Sequence, residues 1–596
     1  MEILCRAVFV PLAVVLLVLA FHDGARARVL NLRGIARLER RLTLSNKGYW
    51  VAFGLLLAVG AFVRCYRFLE LPMGQNQDGS MAAVEALCLA NNGTDQYGTS
   101  WPTYFEAWGY SQMSTLYSYL LIPFVKLFGL SKFTLRFPML LMGLLTLPLM
   151  WDVARRIGGK GFALTALFLL ALNPWHMVLS RWALEANMLP HVVLLAAELL
   201  LIGTRRRWAL YLSMVVFGLA PYAYGLAAVS VPCILLPMAI FLTARKKVKP
   251  LDLAVCVAIF AAVSGPYYVT MVINAFGLET MTLGKMTMPR FEKSQRANDI
   301  SLGSPNPYLS MAQKLKDFLP TAIGYYPAGG YSGIAWADTM YPFVIPAALY
   351  GWYRLCRDRR RLALRGSEEP LRDGGMLILI WMFAAIINTT MVGAVVNRNN
   401  ILYYPWILCA AYALWQMGRR LRTALAAMVV MIAIGFAGAC GVYFTDADYQ
   451  TETANNFYYG LQDALREAWD WDCDRYYLTT MSRNDGEKTV VKLEELEAAV
   501  KEQLELVQKG MYEKALKNMQ ENTYEAHSLE EAKQLQAEHG GFIKTMWCGE
   551  LECELKMKEE GGMSSRCMPL KQECLDDKCA ICGKPAKHSI YWGIAY

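Results

Sequence analysis

The sequence predicts a polytopic α-helical membrane protein of about twelve crossings, followed by a small soluble zinc-binding domain. Three observations lead there. Apolar runs long enough to span a bilayer recur up to about residue 444, short Lys/Arg clusters separate them, and six of the 15 cysteines fall in the last 49 residues. Residues 1–481 carry 43 Lys and Arg against 29 Asp and Glu, whereas residues 482–596 carry 16 against 21. The net charge of +9 therefore belongs to the membrane part, where basic loops are a topological signal, and a nucleic-acid reading is unnecessary.

A crossing needs roughly 20 apolar residues. Runs of that kind lie near 4–21, 49–66, 113–129, 135–153, 161–179, 188–203, 208–225, 226–243, 251–275, 341–356, 376–393, 401–417 and 424–444. Only Arg6, at the head of the first run, precedes its apolar core, while Arg26, Arg28, Arg33, Arg37, Arg40 and Arg41 follow it, which predicts an anchor with an outer N-terminus rather than a cleaved signal peptide.

The clusters expected in the cytoplasm are 26–47, Arg155-Arg156 with Lys160, Arg205 to Arg207, Arg245 to Lys247, Arg354 to Arg372 and Arg419 to Arg422. All can share one side only if one run between Arg67 and Arg155 fails to cross. The run 113–129 is short, starts polar and contains Pro123, so it reads as a juxtamembrane helix. Twelve crossings remain, with both termini outside. The stretches 67–134, 180–187 and 276–340, and the tail after Tyr443, then face the non-cytoplasmic side. With no water in the bilayer core, the crossings must be helices.

The first outer stretch places Asp78 a few residues beyond a crossing, among Gly74, Asn76, Gln77 and Gly79. The second contains NPWHMVLSRWALE, with Arg181 and Glu185 four apart, a spacing that puts both on one face if the segment is helical. Outer carboxylates can be merely solvated, and Arg181 with Glu185 can form a structural ion pair. Trp101, Tyr104, Phe105, Trp108 and Tyr110 suit sugar stacking or plain interfacial anchoring. His176 and His191 have no ligand-spaced partner.

An acidic residue after a first helix, a juxtamembrane loop, a basic turn and then N-P-x-H-x(3)-S-R-x(3)-E resembles the GT-C glycosyltransferases of the protein-mannosyltransferase and lipid-A-aminoarabinose-transferase type. The resemblance covers roughly residues 48–480, including TETANNFYYGLQDALREAWDWDCDRYYLTT, which is similar to the start of that family's outer C-terminal domain. It implies a multi-pass cell-membrane hexosyltransferase, with an extracytoplasmic site, that uses a polyprenyl-phosphate-linked sugar among membrane lipids and an unidentified acceptor. Such an enzyme must deprotonate an acceptor hydroxyl and stabilise a departing phosphate. By resemblance Asp78 is the general base of an inverting displacement, and Glu185 occupies a second acidic position where many members have Asp. Arg181 or Arg398 would hold the phosphate by bidentate hydrogen bonds, and Glu106 would bind sugar hydroxyls.

After residue 491, Leu496, Val500, Leu504, Val507 and Met511 recur at helical spacing, and Gly510 is expected to interrupt the helix. Cys548-x(4)-Cys553 and Cys579-x(2)-Cys582 then suit a tetrahedral four-cysteine zinc site, because each close pair can grip one metal from a tight turn. Cys567 and Cys574 lie between them, so disulfide pairing is the competing reading, favoured by an outer location. The surrounding text, from RNDGEKTVVKLEELEAAV through WCGELEC to CAICGKPAKHSIYWGIAY, is very similar to the C-terminal zinc domain of prolyl-tRNA synthetases over about residues 483–596. That resemblance implies a small α+β domain with a structural zinc.

The expected domains are therefore an anchor and basic loop at 1–47, the membrane domain at 48–444, a shortened outer domain at 445–481 and the synthetase-like domain at 482–596. No class II synthetase motif pair for ATP and adenylate is visible, so aminoacylation by this chain alone is not expected. A tRNA partner requires a cytoplasmic tail, against the predicted topology. The abrupt junction near Met481 leaves a chimeric or degenerate fusion, proline-tRNA-ligase-like only in its tail, as the alternative.

Overall fold

The computed structural model describes residues 2–107, 111–291, 306–322, 332–362, 369–393, 395–455, 512–513 and 515–594, together with Ser301, Ser304 and Lys509. The chain divides into two compact units, residues 1–464 and 465–596. Apart from Lys509, the expected helix over 491–511 lies outside the described residues, as do the 481/482 boundary, Trp108 and Tyr110.

The first unit is helical. Among the described residues eight helices are long and apolar enough to cross a membrane, from Leu4–Phe21 to Arg422–Thr445. The expected crossings at 208–225, 341–356 and 401–417 also form helices, Arg207–Ala223, Ile345–Leu362 and Tyr403–Arg420, but the first is shorter than the other eight and the last two are less apolar. The run 113–129 becomes Leu116–Phe128, a 13-residue helix with Pro123 inside, short of the roughly 20 residues a crossing needs.

Two expectations change. The runs 135–153 and 161–179 are separate in pattern, yet one helical tract, Lys132–Ala171, covers most of both and bends back at the basic turn. Gly159 permits this with φ +79°, a conformation that a residue bearing Cβ rarely adopts. The second run also stops early, at Ala171. Asn173 accepts a hydrogen bond from the His176 backbone N–H at 2.9 Å, and Pro174 opens a separate short helix, Pro174–Leu179, whose residues are all buried.

The stretches assigned to the outer side meet one another. Thr103 N donates to the carbonyl of Thr287 at 2.9 Å, so the hairpin of β3 (Met281–Leu283) and β4 (Met286–Met288) lies against the first outer stretch. That first stretch holds its own hairpin, β1 (Tyr104–Ala107) with β2 (Ser111–Ser114). Segments assigned to the cytoplasm meet likewise: Lys160 donates to Asn46 at 3.2 Å, and the Thr423 hydroxyl to Glu39 at 2.8 Å.

The second unit builds a four-stranded sheet in the order β5 (Thr523–Glu525), β6 (Phe542–Trp547), β8 (His588–Gly593), β7 (Ser564–Cys567). β5 runs parallel to β6 and the other pairs are antiparallel. Helices Leu529–His539 and Leu551–Gly561 cover it, with Ile543, Met557, Ile590 and Trp592 in the core. The buried Trp592 indole donates to the Thr545 hydroxyl at 2.9 Å, so its one polar atom is satisfied.

Candidate active site and metal centre

Asp78 stands in the first turn of helix α1 (Gln77–Asn92), half-buried. Asn76 caps that turn, accepting from the backbone N–H groups of Asp78 at 2.9 Å and Gly79 at 3.4 Å. The partial positive charge of a helix N-terminus favours a carboxylate there.

The approach to Asp78 is held by two buried arginines. Arg181, with no exposed surface, donates to the carbonyls of Val63 at 2.9 Å, Arg64 at 3.1 Å, Tyr66 at 2.7 Å and Leu71 at 3.3 Å. Arg136 donates to the carbonyls of Phe68 at 3.2 Å, Pro72 at 2.9 Å and Gly74 at 2.5 Å. The last carbonyls of a helix have no partner within it, and here the guanidinium of Arg181 supplies one at the end of the helix Asn46–Cys65. The rings of Tyr443 and Phe444 lie 5.3 and 5.4 Å from that guanidinium, an arrangement that suits cation–π attraction.

The spacing of Arg181 and Glu185 does not place them on one helix face, because residues 181–184 form a turn and helix α2 (Glu185–Gly203) begins only at Glu185. Arg181 turns to the chain before Asp78. Glu185, also buried, accepts a short hydrogen bond from the Ser114 backbone N–H at the end of β2.

The same turn touches α1: a Cβ on Gly79 would collide with the Ala183 carbonyl oxygen. The first turn of α2 touches the 3-10 helix Asn397–Leu402, where Asn400 donates to the Ala186 carbonyl at 3.1 Å and to the Asn187 side chain at 2.9 Å. Arg398 lies in that 3-10 helix, half-buried, and Glu106 lies in β1 opposite Gln112. Residues 181–187 are thus the hub on which the elements carrying Asp78, Glu106 and Arg398 converge.

Beneath the hub the polar groups continue. Arg64 donates to His176 at 3.0 Å, His176 meets the Tyr404 hydroxyl at 3.0 Å, and Tyr404 meets His191 at 2.9 Å. Arg136 and Tyr404 are site-supporting residues that the sequence pattern did not single out. An arginine among apolar residues, in KFTLRFPML, is the signal that could have pointed to the first.

Away from the hub on α1, Glu85 has no exposed surface and accepts from the Gln96 N–H at 3.0 Å. Burial raises its carboxyl to about 7, and nearby Asp95 adds to the effect.

In the second unit Cys548 follows β6, Cys553 lies in the helix Leu551–Gly561, and Cys579 and Cys582 share a turn closed by the Gly583 N–H on the Cys579 carbonyl at 2.9 Å. The four sulfurs lie within 4.8 Å of one another. Cys548 Sγ is 3.6 Å from Cys553 Sγ and 3.7 Å from Cys582 Sγ. Four Zn–S bonds of ~2.3 Å give tetrahedral edges of about 3.8 Å, so the donor set fits zinc. Burial works against ionising Cys582, but the Lys584 backbone N–H and the neighbouring thiols draw it down to about 7, toward the thiolate a metal needs. Cys567 and Cys574 stand exposed and unbridged.

Residues 113–268 match the dolichyl-phosphate-mannose-protein mannosyltransferase family, and residues 529–596 match the prolyl-tRNA synthetase C-terminal family. The first match contains Arg136, Arg181 and Glu185; Asp78, Glu106 and Arg398 lie outside it. A proline–tRNA ligase of Bacillus cereus and that of Clostridium novyi are each 45% identical over 125 residues, 21% of this chain and 26% of each relative. The chain thus spans about a quarter of the length of those curated relatives.

Among solved structures, ArnT from Cupriavidus metallidurans bound to undecaprenyl phosphate aligns with 92% of this chain and 99% of its own, at 13% identity and a TM-score of 0.45. The oligosaccharyltransferase AglB from Archaeoglobus fulgidus, with an inhibitory peptide and a dolichol-phosphate, aligns with 68% of this chain and 56% of its own, at 13% identity and a TM-score of 0.41.

Proposed function

We propose that the first unit is an integral membrane glycosyltransferase that moves a sugar from a polyprenyl-phosphate donor to an acceptor hydroxyl on the extracytoplasmic side. The observation that carries this reading is the convergence on residues 181–187 of the elements bearing Asp78, Glu106 and Arg398, within a chain whose residues 113–268 match a lipid-phosphate-sugar transferase family.

In this reading the Asp78 carboxylate takes the proton of the acceptor hydroxyl. The acceptor oxygen attacks the anomeric carbon from the face opposite the phosphate, the bond from that carbon to the phosphate oxygen breaks, and the polyprenyl phosphate leaves with the bonding electrons. Arg398 stabilises the departing phosphate and Glu106 holds sugar hydroxyls. Arg181 serves otherwise than as a phosphate ligand: its donors face the carbonyls of residues 63–71, so it positions the chain that aims Asp78. Glu185 fixes the hairpin β1–β2 through Ser114.

The second unit is read as a zinc-stapled domain, with Cys548, Cys553, Cys579 and Cys582 as ligands and a structural role for the metal. Its 45% identity to proline–tRNA ligases over 125 residues favours a second reading, a tRNA-handling module in a fusion of two functions. That reading needs a cytoplasmic tail, and binding of proline tRNA by the full chain tests it. The glycosyltransferase reading is tested by incubating the purified full chain in vesicles with undecaprenyl-phosphoryl sugars and a panel of peptide, lipid and glycan acceptors. Release of undecaprenyl phosphate that depends on an acceptor supports it; no release with any donor contradicts it.

A further inference from the structure

Two buried polar side chains flank the hub and find no hydrogen-bond partner among the described residues. Gln75 is 8% exposed, and both its amide nitrogen and its amide oxygen are unpartnered. Ser114 is 1% exposed, and its hydroxyl is unpartnered. They come from different elements, and each borders one end of the segment 183–185: Gln75 lies beside Ala183 and Ser114 beside Glu185. The Gln75 amide nitrogen and the Ala183 carbonyl both crowd the point where a Cβ on Gly79 would stand, the nitrogen 2.9 Å from it. Ser114 holds Glu185 through its backbone N–H.

Leaving a buried amide or hydroxyl unpaired costs stability, so such groups persist where something else satisfies them. A primary amide offers donors and an acceptor, and a hydroxyl can do either. Together they suit vicinal hydroxyls, the pattern a sugar ring presents and a phosphate or a prenyl chain lacks.

We propose that Gln75 and Ser114 form a hydroxyl-recognising subsite that holds the sugar ring of the donor beside Asp78. This rests on the glycosyltransferase reading and deepens it: these two side chains join Glu106 in reading the sugar's hydroxyls, separate from the group that holds the phosphate.

The test compares the full-length wild-type protein with Gln75→Leu and Ser114→Ala, measuring binding of undecaprenyl phosphate and of undecaprenyl-phosphoryl mannose, glucose and galactose in turn. Both variants should weaken the preferred glycosylated lipid by about tenfold or more and leave undecaprenyl phosphate within about twofold. Gln75→Leu removes an unpaired buried amide, so its Tm should stay level or rise by roughly 2 °C. A fall in Tm together with equal weakening of both kinds of lipid would make Gln75 a structural residue and overturn the proposal. So would unchanged affinity for every glycosylated lipid. If the wild type binds none of the four lipids, the glycosyltransferase reading itself falls, a result distinct from failure of the subsite.

Discussion

Gly79 and Ala183 meet where no side chain fits: the Ala183 carbonyl oxygen occupies the space a Cβ on Gly79 would need. This approach joins the first turn of α1, which carries Asp78, to the turn that carries Arg181 and leads into Glu185. Gly79→Ala must push the two apart. Overpacking of this kind costs about 1–3 kcal/mol, and displacement of a reacting group by an ångström costs on the order of 100-fold in rate. We expect a stable but nearly inactive variant, with Tm in detergent lowered by several degrees. Activity within about twofold of wild type would show that the contact does not set the position of Asp78.

Arg181 distinguishes a clamp from a phosphate ligand. Its four hydrogen bonds go to backbone carbonyls, one of them 118 residues away in sequence. Arg181→Leu leaves those acceptors buried and should cost roughly 3 kcal/mol or more. Arg181→Lys, with fewer donors and no planar fork, should fall in between. Thermal unfolding in detergent measures this. If instead both variants keep the wild-type Tm and lose only affinity for undecaprenyl phosphate, Arg181 contacts the lipid.

Glu85 predicts a pH dependence. Its carboxyl is raised from 4.5 to about 7 by burial, so the folded state holds a proton that the unfolded state has released. Stability should therefore be greatest at low pH, decline as pH rises from about 4.5 to about 7, and level off above. Glu85→Gln should remove the decline and exceed wild type in Tm at about pH 8. Parallel Tm–pH curves for the two proteins would show that Glu85 titrates normally.

The four clustered cysteines predict about one zinc per chain, measured by metal analysis of the purified protein. Cys548→Ser or Cys579→Ser should reduce it to background. Retention should weaken as pH falls, since protons then compete with the metal for the four thiolates. Full occupancy in both variants would place the metal elsewhere.

Particular residues show how much of this was legible in the sequence. The four-cysteine cluster was, because the spacing within each pair is local: each pair sits within one turn, and only the meeting of the pairs needed the fold. Asp78 and Glu185 could be marked by their order among the crossings. Roles set by long-range packing could not. Arg181 and Glu185 have helical spacing, yet the turn at 181–184 sends one to the chain before Asp78 and the other to Ser114. Arg136 was not legible at all, because its partners are carbonyls more than 60 residues earlier. The basic turn at Arg155–Lys160 was legible as a break, but its form, a reversal on Gly159, depends on a backbone angle.

The account rests most directly on Asp78. The decisive measurement is sugar transfer by the purified full-length protein in vesicles, from its preferred undecaprenyl-phosphoryl sugar, for wild type and Asp78→Asn at matched folding. Loss of a general base should lower the rate by about 100- to 10,000-fold while binding of the donor lipid stays within about twofold. Transfer by Asp78→Asn at the wild-type rate would contradict the account.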